Sequence, residues 1–459
     1  MVTLSKLLAV RVEKNTPLKF CQVWPTGSSA RRLADVPVLH SDRFALGLDW
    51  FRGRETVHGL AHRQTRDSAG LAGTNLARAG DYNQRVVLQA IRAKESITRA
   101  ELAAVTGLTH QSAINITKKL LAEGVILEVG RAVGARGQPA AQLSIAAEGA
   151  FSLGLNIDRD HITLVLIDLL GQVRERFYLD SHFALPADVL AFVRTHLDEM
   201  RARRLIPRGR LAGLGIAIPE RLSGVAVADR PDSYGEWATV DVVEMFSEAL
   251  NLPVYVENDA TSAAIGELQM GQGFHHRTFV YTLISAGIGC GLIVNGQPFT
   301  GGLAHAGEIG NIPIRHRDPA KAYLWHAVSL YALYDDLARK GLEVHHPDDL
   351  NTDDPKMAAA IDAWVIQAAD CMIEPFLAIT YILSPEVHFI GGQLPAFIVE
   401  KLCAELNAQL PRYARDVPLT KFRPATTSVD AAPLGAAVLV LQNRLLPQPQ
   451  VLNAATHSY

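Results

Sequence analysis

The sequence predicts an α/β protein in which a small helical module precedes a larger body of strands and helices. Three observations lead there. Within residues 80–124, apolar residues recur at helical spacing in three short runs punctuated by capping residues and glycine. From Phe151 the pattern becomes apolar runs of strand length, the first two at 151–157 and 162–168. Within 252–311, a short β-rich run, Pro253 to Val256, delivers Glu257-Asn258-Asp259 to the start of a further helix. At 459 residues the chain is long for one domain, and two or three are expected.

Residues 1–79 form an N-terminal extension with twelve Lys/Arg against six Asp/Glu and no sustained periodicity. Two readings stand: a basic arm that touches DNA, or a poorly ordered leader ending in the linker-like run 67–73. No function is assigned to it.

Order is expected from Gly80. Residues 83–94 place Val86, Val87, Ala90 and Ile91 on one helical face. Thr98 with Glu101 is a capping-box pattern that opens a second helix over 99–105. Gly107 ends it, and Thr109 caps a third helix over 110–123, which stops at Gly124. Helix, glycine-containing turn and helix of these lengths make a helix-turn-helix. Strands over 125–129 and 140–145 follow, separated by the Gly- and Arg-containing loop 130–139, so residues 80–147 read as a winged helix-turn-helix.

On the third helix Ile114, Thr117, Leu120 and Leu121 are expected to face inward, leaving His110, Gln111, Ser112, Asn115, Lys118 and Lys119 outside. Base edges are read near the N-terminus of a recognition helix, which makes Gln111, Ser112 and Asn115 the candidates for base contacts. Lys118, Lys119, Arg131 and Arg136 suit phosphates, with minor-groove entry an alternative for Arg136.

Residues 148–459 form the body. After the strand pair, Gly171 turns into a third strand over 173–179, a helix covers 186–203 and a buried strand 213–218. Further helices are expected over 321–340, 355–377 and 396–410, with a strand ending in Gly391-Gly392. A last helix begins near Pro433 and packs back on the first part of the body. Gly287, Gly289 and Gly291 alternate in an apolar run, which weakens a strand unless a ligand or another backbone comes close.

Three segments in this order, Glu257-Asn258-Asp259-Ala260, Gly287-Ile288-Gly289-Cys290-Gly291 and Ala306-Gly307-Glu308-Ile309-Gly310-Asn311, resemble the ROK family of repressors, open reading frames and sugar kinases. The winged helix-turn-helix is similar to the N-terminal module of its repressors. The resemblance implies two ribonuclease-H-like lobes, of the kind found in actin-like ATPases and sugar kinases, with a ligand cleft between them. It also places Asp259 where the family has its catalytic base, and Asn258 and Glu308 where it holds the sugar ring. Asp259 capping the following helix is a structural alternative, compatible with the first.

The same resemblance exposes departures. The family's kinases carry D-x-G-G-T between the first two strands, where this chain has Asp158-Arg159-Asp160-His161 and no glycine. Close backbone approach to phosphate is obstructed there, and two carboxylates repel a polyphosphate, although Arg159 is able to bind one. No phosphoryl transfer is therefore expected. The family's structural zinc uses a His where this chain has Asn311, and three cysteines in a region that reads 317–325 here without any. No metal is expected, and His305, His316 and His326 lack a ligating spacing. The family's further sugar-contacting Glu falls at or near Trp325, so the pocket is reshaped. With sugar-binding candidates Asn258, Asp259, Glu308 and Asn311, it points to a pentose, a deoxy sugar or a disaccharide rather than unmodified glucose.

The net charge of −3 excludes a globally basic nucleic-acid binder but not a locally basic module. Four scattered cysteines without C-x-x-C spacing fit a reducing cytoplasm, and no apolar run or secretory leader speaks for a membrane. The expectation is a cytoplasmic, cofactor-free transcriptional repressor, a homodimer or homotetramer, with double-stranded operator DNA and a sugar effector as partners. The alternative is an ATP-dependent sugar kinase carrying an appended DNA-binding module.

Overall fold

Local capping is seen directly in the N-terminal module. The computed structural model describes residues 76–131, 140–220, 222, 230–316, 318–413, 418–427 and 429–447. The module comprises α1 (Leu76–Arg92), β1 (Ile97–Thr98), α2 (Arg99–Thr106), α3 (His110–Ala122), β2 (Ile126–Arg131) and β3 (Ala141–Ile145). Thr98 and Glu101 form the expected capping box, Gly107 takes a left-handed conformation at φ 69°, and Thr109 caps α3 by accepting from Ser112 N. The three strands pair in the order β1-β3-β2 and close the winged fold.

Two details differ from the sequence reading. The first helix begins at Leu76, ahead of Gly80. On α3 the fully buried residues are Ala113, Thr117 and Leu120, while Ile114 and Leu121 are half-buried. Ala113 is small enough to let α3 approach closely, which leaves the larger side chains flanking the contact. The extension 1–75 and the wing loop with Arg136 lie outside the described residues; Arg131 is described only as the last residue of β2.

The body repeats one topology twice. In the first lobe β4 (Phe151–Ile157), β5 (His161–Asp168) and β6 (Val173–Asp180) form an antiparallel meander. After α4 (Pro186–Ala202), β7 (Leu211–Ile218) joins β4 in parallel. After α5 (Val242–Leu250), β8 (Val254–Asn258) joins β7 in parallel, giving the order β6-β5-β4-β7-β8. Helix α6 (Asp259–Met270) leads into the second lobe, where β9 (Phe279–Ile284), β10 (Ile288–Val294) and β11 (Gln297–Pro298) form the second meander. Helices α7 (Leu330–Ala338) and α8 (Pro355–Leu383) precede β12 (Val387–Gly392), which is parallel to β9. Then α9 (Ala396–Gln409) leads to β13 (Phe422–Pro424), and α10 (Ala431–Leu445) closes the described chain. The second sheet order, β11-β10-β9-β12-β13, mirrors the first.

The expected helix over 321–340 is shorter. Tyr323 bridges to Pro313, a single 3₁₀ turn covers Leu324–His326, and Ser329 caps α7 by accepting from Ala332 N. Apolar spacing was present, but tertiary pairing captured the backbone groups that a longer helix would need. Helix α8 is long and apolar enough by length and composition to cross a membrane, yet half of that stretch is buried in the body. It anchors the second lobe's core through Trp364, Met372 and Phe376.

Between the sheets lies a layer of small residues. Ala260, Ala263 and Ala264 of α6 meet Ala431, Ala432 and Ala436 of α10. A β-carbon on Gly435 would stand 1.6 Å from Ser262 O, and one on Gly215 would stand 1.8 Å from Ala436 O. These contacts bring α6 and α10 to near backbone distance. The expected return of the last helix onto the first part of the body is therefore observed.

Three arginines tie the helical module to the body. Arg85 Nη1 donates to Asn443 O at 2.9 Å, and Arg92 Nη1 donates to Gln269 Oε1 at 2.9 Å. Arg210 Nη1, at the threshold of β7, donates to Glu123 O at 2.6 Å and to Gly149 O at 3.1 Å. Glu123 is the residue that closes the recognition helix.

Candidate functional site

The junction of β8 and α6 sets the floor of the interlobe cleft. Asn258 ends the strand beside Ile218 and caps α6, its Oδ1 accepting from Thr261 N at 3.1 Å. The amide nitrogen of that side chain is thereby held in one orientation. Asp259 begins the helix, and its Oδ1 accepts from Ala260 N at 2.8 Å. The capping alternative for this junction thus falls to Asn258, while Asp259 lines the cavity.

The glycines of β10 have two uses. A β-carbon on Gly291 would stand 2.2 Å from Ala260 O, so that position admits α6 against the sheet. Gly289 would come within 3.3 Å of Ala260 Cβ, whereas Gly287 faces open space and lines the cavity. The close-approach reading therefore holds for Gly291 through a backbone of the protein itself.

Glu308 arrives from the segment after β11. Gly307 has φ 99°, and a β-carbon there would overlap Cys290 O at 1.9 Å, so glycine lets this segment lie on β10. Cys290 N donates to Gly307 O at 2.9 Å and pins it. Asn311 Nδ2 then donates to Glu308 Oε2 at 3.3 Å, so the Asn that stands in place of an imidazole orients the carboxylate beside it.

These residues enclose an inner cavity of about 110 Å³ lined by Asn258, Asp259, Glu308, Asn311, Trp325 and Tyr331, among others. An outer cavity of about 570 Å³ adjoins it and shares Glu220, Glu308, Asn311 and Trp325. At its rim His305 Nδ1 lies 2.6 Å from Glu220 Oε1, linking the two lobes. All four sugar candidates are therefore brought together. Sequence reasoning missed Glu220, Tyr323 and Tyr331; Glu220 had a signal, since it follows the C-terminal end of a buried parallel strand, where α/β sheets hold ligands.

The electrostatics of the cavity are acidic. Burial, then the neighbouring Asp158 carboxylate, pushes Asp259 up to about 7, with Glu308 adding to the rise; the Ala260 amide and Arg159 oppose it. Arg159 lines the inner cavity and its backbone N donates to Asp158 Oδ1 at 2.8 Å.

The tip of the β4–β5 hairpin faces a third cavity of about 240 Å³, lined among others by Asp160, His161, Tyr178, Tyr334, His346 and Gln393. His161 Nδ1 lies 2.6 Å from Asp160 Oδ1, and its Nε2 lies 3.2 Å from Asn156 Nδ2 and 3.3 Å from Gln393 Nε2 of the second lobe. Burial is the largest single effect and opposes both charges, but the mutual hydrogen bond and the neighbouring charges together outweigh it, so Asp160 is lowered and His161 raised. Ligand atoms of Asp158, Asp160 and His161 lie within 4.8 Å of one another, a grouping the sequence reading did not anticipate. Within it Asp160 and His161 bond each other, while Asp158 is taken up by Arg159.

On the recognition helix His110, Gln111, Asn115, Lys118 and Lys119 are exposed. Gln111 Nε2 donates to Asn115 Oδ1 at 3.1 Å, which pairs two of the base-contact candidates on one face. Ser112 is half-buried, and its hydroxyl lies 2.8 Å from Thr109 Oγ1 within the cap. Lys119 Nζ is 3.8 Å from Glu123, while Lys118 is exposed on the same helix. Arg99 bonds Thr117 and Glu128, fixing α3 against α2 and β2.

A family model described as ROK family matches residues 152–443, and one described as winged helix-turn-helix DNA-binding matches residues 81–126. The chain is 28% identical over 243 residues to the xylose repressor of Bacillus spizizenii, covering 52% of this chain and 62% of that repressor. It is 25% identical over 239 residues to the N-acetylglucosamine repressor of Escherichia coli O157:H7, covering 50% of this chain and 57% of that repressor. Each match spans less than two thirds of the repressor's length. Among solved structures, a ROK family transcriptional regulator, a homolog of the E. coli MLC protein, is similar with a TM-score of 0.60 and 21% identity. That match covers 82% of this chain and all of the other.

Proposed function

The chain belongs to the ROK family, and on that premise we propose a transcriptional repressor whose operator affinity is set by a sugar or sugar derivative held in the interlobe cleft. It combines a winged helix-turn-helix DNA-binding module with a sugar-kinase-like body, an arrangement consistent with transcriptional regulation. The names of its relatives, repressors of xylose and N-acetylglucosamine, support a sugar as effector without specifying which. Double-stranded DNA is the partner of the exposed α3 face. A two-fold dimer is the proposed working unit, because one helix-turn-helix reads only a half-site. Acting on DNA, the protein works in the cytoplasm.

One observation carries the link between the two modules. Helix α6 starts at Asp259 in the cleft and ends beside Arg92 of α1. Twelve residues of helix span about 18 Å, a rigid connection from the cavity floor to the DNA-binding module. A ligand that binds two arrangements of this helix unequally shifts their populations, and DNA affinity follows.

The cleft is proposed to bind without transferring phosphate. Asp158 and Asp160 occupy the hairpin tip, His161 and Gln393 bridge the lobes there, and no glycine opens the backbone. Phosphoryl transfer depends on tight positioning of an anion, and this lining places Asp160 and Asp180 among imidazoles and tyrosines.

The test is DNA affinity, measured with the DNA upstream of the protein's own gene, with and without sugars. Asp259→Ala is expected to keep operator binding and lose the response. A variant that still responds normally removes Asp259 from the effector site.

A further inference from the structure

The inner cavity, at about 110 Å³, falls well below the ~300–1,000 Å³ of sites that enclose a whole small-molecule ligand. The outer cavity, at about 570 Å³, falls within that range and shares Glu220, Glu308, Asn311 and Trp325 with the inner one. The two differ in chemistry. Asp259 and Asn258 belong to the inner cavity, whereas Tyr323 and His326 belong to the outer, and Trp325 lines both.

The aromatic wall of the outer cavity is prebuilt. Ile314 N donates to Ala322 O and Leu324 N donates to Ile312 O, each at 3.0 Å, so 312–314 and 322–324 clasp each other. Leu324 is fully buried beneath them. On this base Trp325 and His326 lie with ring centroids 3.9 Å apart, and Tyr323 and His326 with centroids 5.7 Å apart. Trp325 packs close to Gly310, near the Glu308 carboxylate's own turn. Tyr323 remains 44% exposed, a large apolar face on a rigid support beside a carboxylate-bearing cavity. Such faces suit the C–H face of a second sugar ring or an aryl group.

Charge narrows the class further. The acidic side chains lining the inner cavity are Glu220, Asp259 and Glu308, against Arg159 among the described residues. A phosphate on the ligand would meet this excess of carboxylates at low dielectric.

Resting on the reading that the cleft binds a sugar, we infer that the effector is a neutral glycoside of two or more units. One ring sits on Asn258, Asp259 and Glu308, and the second sits over Tyr323, Trp325 and His326. Glu220 and His305 close the mouth from opposite lobes.

The test is calorimetric titration of the full-length protein. The probes are D-xylose, D-glucose and N-acetyl-D-glucosamine, together with the β-1,4-linked disaccharide and the p-nitrophenyl β-glycoside of each. At least one two-unit ligand is expected to bind about ten-fold tighter than its parent monosaccharide. Tyr323→Ala, an exposed position that leaves Leu324 and Trp325 in place, is expected to remove that advantage without changing monosaccharide affinity. Asp259→Asn is expected to weaken both. Monosaccharides binding as tightly as every glycoside, or an advantage that survives Tyr323→Ala, overturns the two-unit class and leaves the sugar cleft standing. If none of the probes binds, the cleft reading falls, and this inference with it.

Discussion

Arg92 Nη1 donates to Gln269 Oε1 at 2.9 Å, bonding the first helix of the DNA-binding module to the last turn of the helix that begins at Asp259. Arg92 is half-buried, and desolvation by its surroundings lowers its pKa. The bond therefore joins a partly buried cation to a neutral amide where the two modules meet.

Arg92→Ala is expected to leave operator affinity and sugar affinity nearly unchanged when each is measured alone, while reducing their coupling. Allosteric couplings are typically about 1–3 kcal/mol, so loss of this contact should shrink the sugar-induced change in DNA affinity several-fold. Fluorescence anisotropy of labelled operator DNA, with and without sugar, measures it. An undiminished ratio would move the route to Arg85 or Arg210, which also tie the module to the body.

For the α3 face, two kinds of substitution should behave differently. Replacing Lys118 and Lys119 with Ala is expected to weaken binding to all DNA and lower the salt slope by about one per lost phosphate contact. Gln111→Ala also frees Asn115 from its hydrogen bond and should relax preference at one or two base pairs. Binding curves across salt concentrations and across mutated operators separate the two. A Gln111 variant that loses affinity uniformly would argue for a phosphate contact instead.

Sugar affinity should depend on pH through Asp259. Its carboxyl is pushed up to about 7 by burial and by Asp158, so it is partly protonated at neutral pH. A sugar hydroxyl donating to the carboxylate favours the ionised form, hence affinity should rise from pH 6 to pH 8 and level off above. The stability linkage has the opposite sign. For a carboxyl raised in the folded state, the stabilisation is complete below its ordinary range near 3.8 and is lost as pH rises through 7. Titration calorimetry at several pH values reads the first effect, and Asp259→Asn should flatten it. Affinity that falls over the same interval would contradict the assigned role.

Purified protein supplied with Mg-ATP and sugars is expected to release no sugar-dependent ADP. The cause assigned is the hairpin tip, where Asp158 and Asp160 stand without a glycine and Asp160 lines the adjoining cavity. A coupled ADP assay measures this. Sugar-dependent ADP release that disappears in Asp259→Asn would establish a kinase.

Much of the helical module was legible in the sequence because its determinants act over a few residues. Thr98 with Glu101, Thr109 with Ser112, and Gly107 at φ 69° are local bonds or local sterics that a linear reading sees. The strand-to-helix junction at Asn258-Asp259 was legible for the same reason, whereas the two lobes were expected only through the resemblance to the ROK family. The misread helix over 321–340 shows where this stops. Its apolar spacing was helical, but pairing of 312–314 with 322–324 took the backbone hydrogen bonds first. The cavity too was decided only in three dimensions. Glu220, His305, Trp325 and Tyr331 come from separate segments on two lobes, and nothing in their spacing brings them together. Likewise Gly291 answers to a helix more than twenty residues upstream, whose Ala260 carbonyl would meet any side chain placed there. Caps and periodicity are local energies, written along the chain; a ligand cleft is a non-local closure, and its lining exists only once the two lobes have packed on α6 and α10.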